Sequence, residues 1–575
     1  MLKYFCKQCN IETYYSSCPN CGERTEMQES SIYWCDTCNV PIYNETCPVC
    51  DNKGRRVGTD ARPVFPEERL LIEIVLGCPL KFKYSSVWHI SGQYYFVDGQ
   101  KIKFSISQTK KLNIEDIRAK LEEYSEQNRY TAFESSVERF VAANKPRYDF
   151  ITAEATQYIR NVAEGYAPTE MFVSFSGGKD STVVSNLVTK ALSSEEILHI
   201  FGDTTLEFPE TYAYLERFKK KHPDTLVLSS KNKDKNFEEL CEQLGPPSRV
   251  MRWCCTVFKT GAIQRKITTL FKRQKRVLTF YGIRRNESTS RSKYDRESDS
   301  PKIAIQKTVS PIIDWLDFDI WLYLLTTGID FNNAYRLGYS RVGCWCCPNN
   351  SAWSEFMSKV YMPEQYERFR NLLISFAKNV GKADPETYVD DGKWKARQGG
   401  NGLEYANSST VTFEPCALQE DTINFELKRP ISEELYELFK PFGYLNFNIG
   451  NERLGEVYIT SKDGKLLLKL QGKIGSTTLK VSILDRKAGH CTSKRQVEDK
   501  VKCQITKYQM CIGCLACESI CMYGAIDIVT DHAGLVSYSI DNSKCVRCTH
   551  CITHYDGGCY LKKVMRIQTK KKTEK

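Results

Sequence analysis

Short apolar runs alternate with helical periodicity through the middle of the chain. Residues 171–175 form an apolar run of the kind buried on both faces of a sheet, and Val183, Val184, Leu187 and Val188 then recur at helical spacing over 182–192. Residues 197–201, 226–228 and 277–281 read as further strands with helical stretches between them. This alternation predicts a multidomain α/β protein whose core, residues 166–400, is a doubly wound parallel sheet. Upstream, residues 87–90 and 93–97 flank Ser91-Gly92 as a hairpin, and Asp98-Gly99 marks a turn before the run 101–106. Residues 60–110 are therefore expected to form a small β unit, with 70–76 apolar but unassigned. Ile114, Ile117, Leu121 and Tyr124 share one stripe, so residues 111–165 read as a helical lead-in. Downstream, Lys462-Asp-Gly-Lys465 is a hairpin turn between 457–460 and 466–469. With a helix over 433–439 it predicts a small α+β module at 410–492.

Cysteine changes the picture at both ends. The chain has 575 residues, more than one core accommodates, and 26 of them are cysteine, mostly in CxxC pairs. Cys6, Cys9, Cys18 and Cys21 recur 29 residues later as Cys35, Cys38, Cys47 and Cys50 with the same spacing. Four thiolates close a tetrahedral site, so residues 1–55 resemble a double zinc ribbon holding two structural Zn²⁺. A rubredoxin-type iron centre uses the same ligands. Units this short have little core, and the metal supplies most of their folding energy.

Charge adds less. A formal net charge of +11 suits anionic ligands without establishing nucleic-acid binding, and part of it lies in a basic tail at 563–575. No run approaches the roughly 18 apolar residues of a membrane span, so no membrane partner is expected. The residues before Cys6 carry no signal-peptide pattern. With CxxC pairs that read as metal ligands, this gives a cytoplasmic expectation.

The candidate chemistry centres on Ser176-Gly177-Gly178-Lys179-Asp180-Ser181-Thr182, between the first predicted strand and its helix. Two glycines let backbone N–H groups face an anion, and the helix N-terminus adds more. The Walker A spacing is absent. The segment resembles the pyrophosphate-binding PP-loop of N-type ATP pyrophosphatases, and later motifs narrow the resemblance to the PAPS reductase family. Gly202-Asp-Thr-Thr-Leu-Glu-Phe-Pro-Glu-Thr-Tyr212 resembles that family's DTG-x-x-FPET-Y segment, with Thr205 in place of glycine. The resemblance implies that Asp203 contacts the nucleotide or its metal; a helix cap is the alternative. Gly282-Ile-Arg-Arg-Asn-Glu-Ser288-x-x-Arg291 matches a further motif. Arg284 and Arg291 suit a substrate oxyanion, with Glu287 positioning one of them and Lys259, from the RWCC-x-x-x-K segment, joining the set. Asp317 or Asp319 reads as a helix cap.

Cys254-Cys255 followed by Cys344 and Cys347 resembles the [4Fe–4S] ligand set of APS reductases, and Cys346 is the spare thiol for a catalytic role. The ECGLH-like cysteine that reductases of this family use is missing. At 500–562, Cys511, Cys514, Cys517 and Cys521, then Cys545, Cys548, Cys551 and Cys559, resemble a bacterial-type two-cluster ferredoxin. In that arrangement the last cysteine of each run serves the other cluster. Cluster one would take Cys511, Cys514, Cys517 and Cys559, and cluster two Cys545, Cys548, Cys551 and Cys521. Met522 and the long spacing before Cys559 depart from the pattern. The resemblance implies a sulfonucleotide (PAPS or APS) reductase fed by its own ferredoxin, with an adenine nucleotide and an external electron donor as partners. The intact PP-loop supports a second function, an ATP- and Mg²⁺-dependent sulfurtransferase acting on RNA or DNA. A non-enzymatic nucleotide-binding iron–sulfur sensor is a third.

Overall fold

The computed structural model describes residues 4–13, 18–23, 25–27, 30–92, 94–299, 306–555 and 558–572. Gln93 and the last three residues of the tail, 573–575, lie outside them.

The central sheet has six strands, in the order Val227–Lys231, Leu198–Asp203, Met171–Phe175, Val277–Phe280, Gln306–Val309, Glu297–Asp299. The first five run parallel, and the last is an antiparallel edge. Strand Met171–Phe175 alternates its faces. Met171 and Val173 pack with Val183, Leu187 and Val188 of helix Lys179–Leu192 and with Ile151 and Ile159 of helix Lys145–Ala163. Phe172 packs on the other face with Ile267 of helix Gly261–Leu270 and with Phe271 at its end. Helices thus cover both faces, as the doubly wound reading requires. Each fully buried aliphatic side chain contributes about 1.5–3 kcal/mol, so the Lys179–Leu192 helix is held firmly and its first turn has a fixed position.

Several local readings differ. The apolar run 70–76 belongs to a helix, Pro66–Val75, buried almost throughout, whose Glu68 pairs with Arg62 at 2.6 Å. The strand after Asp98-Gly99 lasts only through Gln100–Lys101, because Ser105 and Gln108 form a capping box that starts a 3₁₀ turn. Residues 563–575 are not simply a tail. Helix Tyr560–Met565 enters them, and Lys570–Lys571 pairs in parallel with Thr412–Phe413 at the edge of a seven-stranded sheet. Lysines suit such an edge because they blunt further pairing.

The outer modules are not beads on a string. In the second ribbon, Ile32, Trp34, Val40 and Ile42 share a core with Trp88, Phe140, Leu316 and Phe318. The seven-stranded sheet buries Leu468 and Val481 in one core with Val501, Ile528 and Ile552 of the C-terminal cysteine-rich segment. That segment is too small to build a sizeable core alone, so it borrows one. No helix among the described residues is long and apolar enough to cross a membrane.

Candidate active site

The phosphate-type loop sits at the carboxyl end of Met171–Phe175. Gly177 has φ +69°, and a Cβ there would come within 2.9 Å of Thr211 Cγ2, so the turn needs glycine twice over. Ser176 N donates to Ser181 Oγ (3.2 Å), and Ser181 and Thr182 hydroxyls donate to Gly178 O at 2.9 and 3.1 Å. Asn332 Nδ2 donates to Gly177 O (3.2 Å), and Lys179 N donates to Tyr335 OH (3.0 Å). A Cβ on Gly282 would lie 2.8 Å from the Asp180 carbonyl carbon, so the Gly282–Arg284 segment closes directly on the loop.

Beneath the loop is a buried charge network. Lys179, 3% exposed, reaches Asp180 (3.2 Å) and Asp317 (3.1 Å). Arg284, 4% exposed, binds Asp180, Asp317 (3.0 Å) and Trp315 O. Burial works against the Asp180 carboxylate, yet Arg284 and Lys179 together hold its pKa well below the ordinary range. Burial likewise opposes the Lys179 charge, but Asp180 and Asp317 overcome it and push the pKa up. Asp60, from the linker after the second ribbon, enters the network. It accepts from Asp317 N (3.1 Å) and Phe318 N (2.9 Å), capping helix Asp317–Thr327. Burial, then the charge of Asp317, raises its pKa to about 7. Asp319 accepts from Leu316 N and pairs with buried Arg147 at 2.7 Å, whereas Asp317 turns to Lys179.

Asp203 Oδ1 accepts from Thr205 N and Tyr212 OH, both at 2.9 Å, so it shapes its own turn. Thr205 keeps the left-handed geometry of the glycine it replaces, with φ +65°. Arg284 is spent on carboxylates below the loop, whereas Arg291 is partly exposed and held by Glu287. Burial, then the neighbouring Arg341, pulls the Arg291 pKa down. Arg341 is exposed and makes no ion pair among the described residues. Arg341 thus lies within electrostatic reach of Arg291, whose own carboxylate partner is Glu287. Arg341, Asp60 and Tyr335 were not singled out in the sequence. Arg341's one signal is its place three residues before Cys344.

The segment after Asp203 is stitched to the second cysteine group. Glu207 forms an isolated β-bridge with Cys344, Trp345 N donates to Leu206 O (3.0 Å), and Thr204 Oγ1 lies 3.4 Å from Cys344 Sγ. Cys254 is within electrostatic reach of Cys344, and Cys255 of Cys347. The two distant pairs thus converge on one side of the loop. Cys255 opens a π-helical turn, Cys255–Thr260, that carries Lys259. The hydrogen bond from the Cys254 thiol lowers the Cys255 pKa to about 5, aided by Arg252, whose Nη2 is 3.4 Å away. Cys346 lies within electrostatic reach of Cys344 and Cys347 but is deeply buried. It is 7% exposed in an apolar cluster, and burial pushes its thiol well up, a poor setting for a nucleophile.

In the C-terminal segment, Cys521, Cys545, Cys548 and Cys551 line one cavity. Cys514 lies in the field of Cys517, Cys559 and Cys511. Lys507, 1% exposed, donates to Cys551 O (3.0 Å) and faces Cys517, Cys551 and Cys559, with no carboxylate ion pair among the described residues. A buried ammonium facing several cysteines, with no carboxylate partner among the described residues, fits thiolates holding anionic clusters. At the N-terminus, Cys6, Cys9, Cys18, Cys21 and Cys35, Cys38, Cys47, Cys50 each bring four sulfurs within 4.8 Å, which fits a single tetrahedral ion.

One chain thus joins a phosphate-type loop on a doubly wound sheet to two groups of cysteines and a cluster-type segment. Residues 170–350 match the family model of a phosphoadenosine phosphosulfate reductase domain, and residues 510–554 that of a 4Fe-4S dicluster domain. Two uncharacterized proteins of Methanocaldococcus jannaschii are 33% and 31% identical to it, over 45% and 48% of this chain and 60% and 55% of their own. The match therefore spans less than two thirds of those relatives. An adenosine 5′-phosphosulfate reductase of Oceanobacillus iheyensis is 29% identical over 31% of this chain and 71% of its own. A solved PAPS reductase from Candida auris, in complex with phosphate, aligns with 33% of this chain and 95% of its own, at 15% identity and TM-score 0.26.

Proposed function

We propose that the chain is a sulfonucleotide reductase that releases sulfite from APS or PAPS with electrons from its own dicluster segment. One observation carries this reading: the catalytic-domain cysteines and the dicluster cysteines share a single apolar cluster. Cys254, Cys346, Trp253 and Val257 pack with Met510, Cys514 and Cys559. A Cβ on Gly261 would lie 3.3 Å from Cys514 O, so the two segments meet backbone to backbone. Tyr560 lies within the fields of both Cys514 and Cys254.

In this reading the SGGKDS loop binds the nucleotide's phosphates, and Arg291 with Arg341 and Lys259 binds the sulfate beside Cys347. Arg284, Asp180 and Asp317 fix Lys179 rather than touch sulfate. Cys511, Cys514, Cys517 and Cys559, and Cys521, Cys545, Cys548 and Cys551, hold two [4Fe–4S] clusters, and Cys254, Cys255, Cys344 and Cys347 hold a third. When bound, the clusters supply one-electron steps. Two electrons break the sulfur–oxygen bond. Sulfur leaves as sulfite, and the bridging oxygen stays on the nucleotide phosphate.

The intact SGGKDS loop and the missing ECGLH-like cysteine favour a second reading, an ATP-dependent sulfurtransferase. Anaerobic incubation of the reconstituted, reduced protein with APS, PAPS or ATP separates the two. Sulfite from a sulfonucleotide, lost in Cys347→Ser, is expected. AMP and pyrophosphate from ATP only when RNA or DNA is added, with no sulfite from either sulfonucleotide, overturns the reductase.

A further inference from the structure

Behind the Cys344–Cys347 turn lies a cavity of about 410 Å³, within the range of small-molecule sites. Only Trp345, Cys346 and Cys347 of its lining belong to the 170–350 domain; the remaining walls come from residues 106–114 and 352–394. The cavity is therefore built by the parts of this chain added around the family domain. None of the nucleotide-loop residues lines it.

Its walls have a definite chemistry. Trp345, Phe369 and Trp394 form an edge-to-face ladder with centroids 5.7 and 5.6 Å apart. The carboxylates at the cavity are all matched by cations. Arg370 binds Asp390 through two bonds of 2.8 Å, Asp391 pairs with Lys393 at 3.0 Å, and Glu355 pairs with Lys395. Two lining cations are left over: Lys110, exposed, and Lys359, whose Nζ lies 5.2 Å from the Tyr366 ring centroid. Neither makes an ion pair among the described residues. An aromatic wall beside two ammonium groups without an ion-pair partner, Lys359 lying in the field of Asp390, suits a planar ring that carries a negative charge.

We propose that this cavity is a second nucleotide-binding site, taking a nucleotide either free or as one unit of a single strand. The base lies against the Trp345–Phe369–Trp394 wall, the phosphate meets Lys110 and Lys359, and the bound molecule abuts Cys347. Binding there does not rest on the function proposed above.

The test uses binding rather than turnover. The full-length, anaerobically reconstituted protein is first saturated with magnesium pyrophosphate, which occupies the phosphate loop. It is then titrated calorimetrically with guanosine monophosphate, with a short single-stranded RNA oligonucleotide, and with ribose 5-phosphate. Binding of either of the first two, at least tenfold tighter than ribose 5-phosphate and weakened at least tenfold in Lys110→Glu/Lys359→Glu, is expected. Binding of the oligonucleotide alone assigns the natural ligand to a strand, and binding of the mononucleotide alone assigns it to the free pool. The proposal is overturned if neither binds, if ribose 5-phosphate binds equally well, or if the double variant, with unchanged iron and zinc content, binds as tightly as the parent. Lys110→Gln is the second variant should the double one lose metal, and an unaltered affinity there counts against the site equally. Sulfite release can fail while this binding stands, and the reverse, so the two ideas are separately decidable.

Discussion

Arg265, on the helix Gly261–Leu270 of the nucleotide domain, grips Glu518 of the dicluster segment through two bonds of 2.9 and 2.8 Å, and a further donation reaches Ile528 O. The pair fastens the cluster-bearing segment beside the cysteines of the catalytic domain. Arg265 is partly exposed, so its contribution to stability is only about 0.5 kcal/mol. Its value is registration. Glu518→Arg should leave iron content and thermal stability nearly unchanged while slowing electron arrival at the nucleotide site by at least tenfold, read by stopped-flow absorbance. The swap Arg265→Glu/Glu518→Arg should recover most of the rate, which a non-specific folding defect would not.

Lys507 makes a second prediction. Its ammonium is buried between the two cysteine sets and bonded to Cys551 O. Burial opposes its charge, but the surrounding thiolates raise its pKa above the ordinary lysine value. A fixed positive charge there stabilises the reduced, more negative state of both clusters. Lys507→Met should lower both midpoint potentials by roughly 60 mV or more, a tenfold change in a one-electron equilibrium. Redox titration followed by electron paramagnetic resonance reads this, and Lys507→Arg should restore the values.

The two ribbons should respond differently to metal loss. The second shares its core with Phe140, Leu316 and Phe318, whereas the sulfurs of the first lie outside that cluster. Cys47→Ser should therefore lower the melting temperature of the nucleotide domain by roughly 10 °C, the equivalent of a few kcal/mol, while Cys18→Ser loses one zinc with little change there. Differential scanning calorimetry with zinc analysis distinguishes them.

Asp60 sets a pH dependence. Its folded pKa of about 7 lies above its unfolded value, so the folded state holds the extra proton. The stability it contributes is complete below about pH 4 and is lost as pH rises through about 7. Asp60→Asn keeps an acceptor for the helix N-terminus and removes the titration. Between pH 5 and 8 the parent should lose about 2 kcal/mol more than the variant, measured by urea unfolding. Equal slopes would contradict the assignment.

Much of this architecture was legible in the chain because its signals are local. The SGGKDS turn needs glycine at Gly177, and Val183, Leu187 and Val188 mark the helix face that holds it. The ribbon cysteines repeat at one spacing, and the C-terminal cysteines cluster in triplets. What stayed hidden depends on contacts between distant segments. Arg284 looks like an oxyanion ligand until Asp180 and Asp317 are seen to consume it. Asp60 is a linker residue until its carboxylate meets the start of the helix Asp317–Thr327. The late edge strand Lys570–Lys571 has no apolar pattern, because its reason for existing is the open edge of Thr412–Pro415. Cys346 looks uncommitted by spacing, and its burial in an apolar cluster shows only in the fold.

Delivery of electrons from the chain's own dicluster segment is the claim on which the rest depends. The direct measurement is a single turnover: the fully reduced, reconstituted protein, freed of external reductant, is mixed anaerobically with one equivalent of APS or PAPS. The account predicts that sulfite forms and that cluster absorbance returns to the oxidised level at the same rate, both slowed together in Glu518→Arg. Clusters that stay reduced with either sulfonucleotide, or sulfite that appears without their reoxidation, would contradict it.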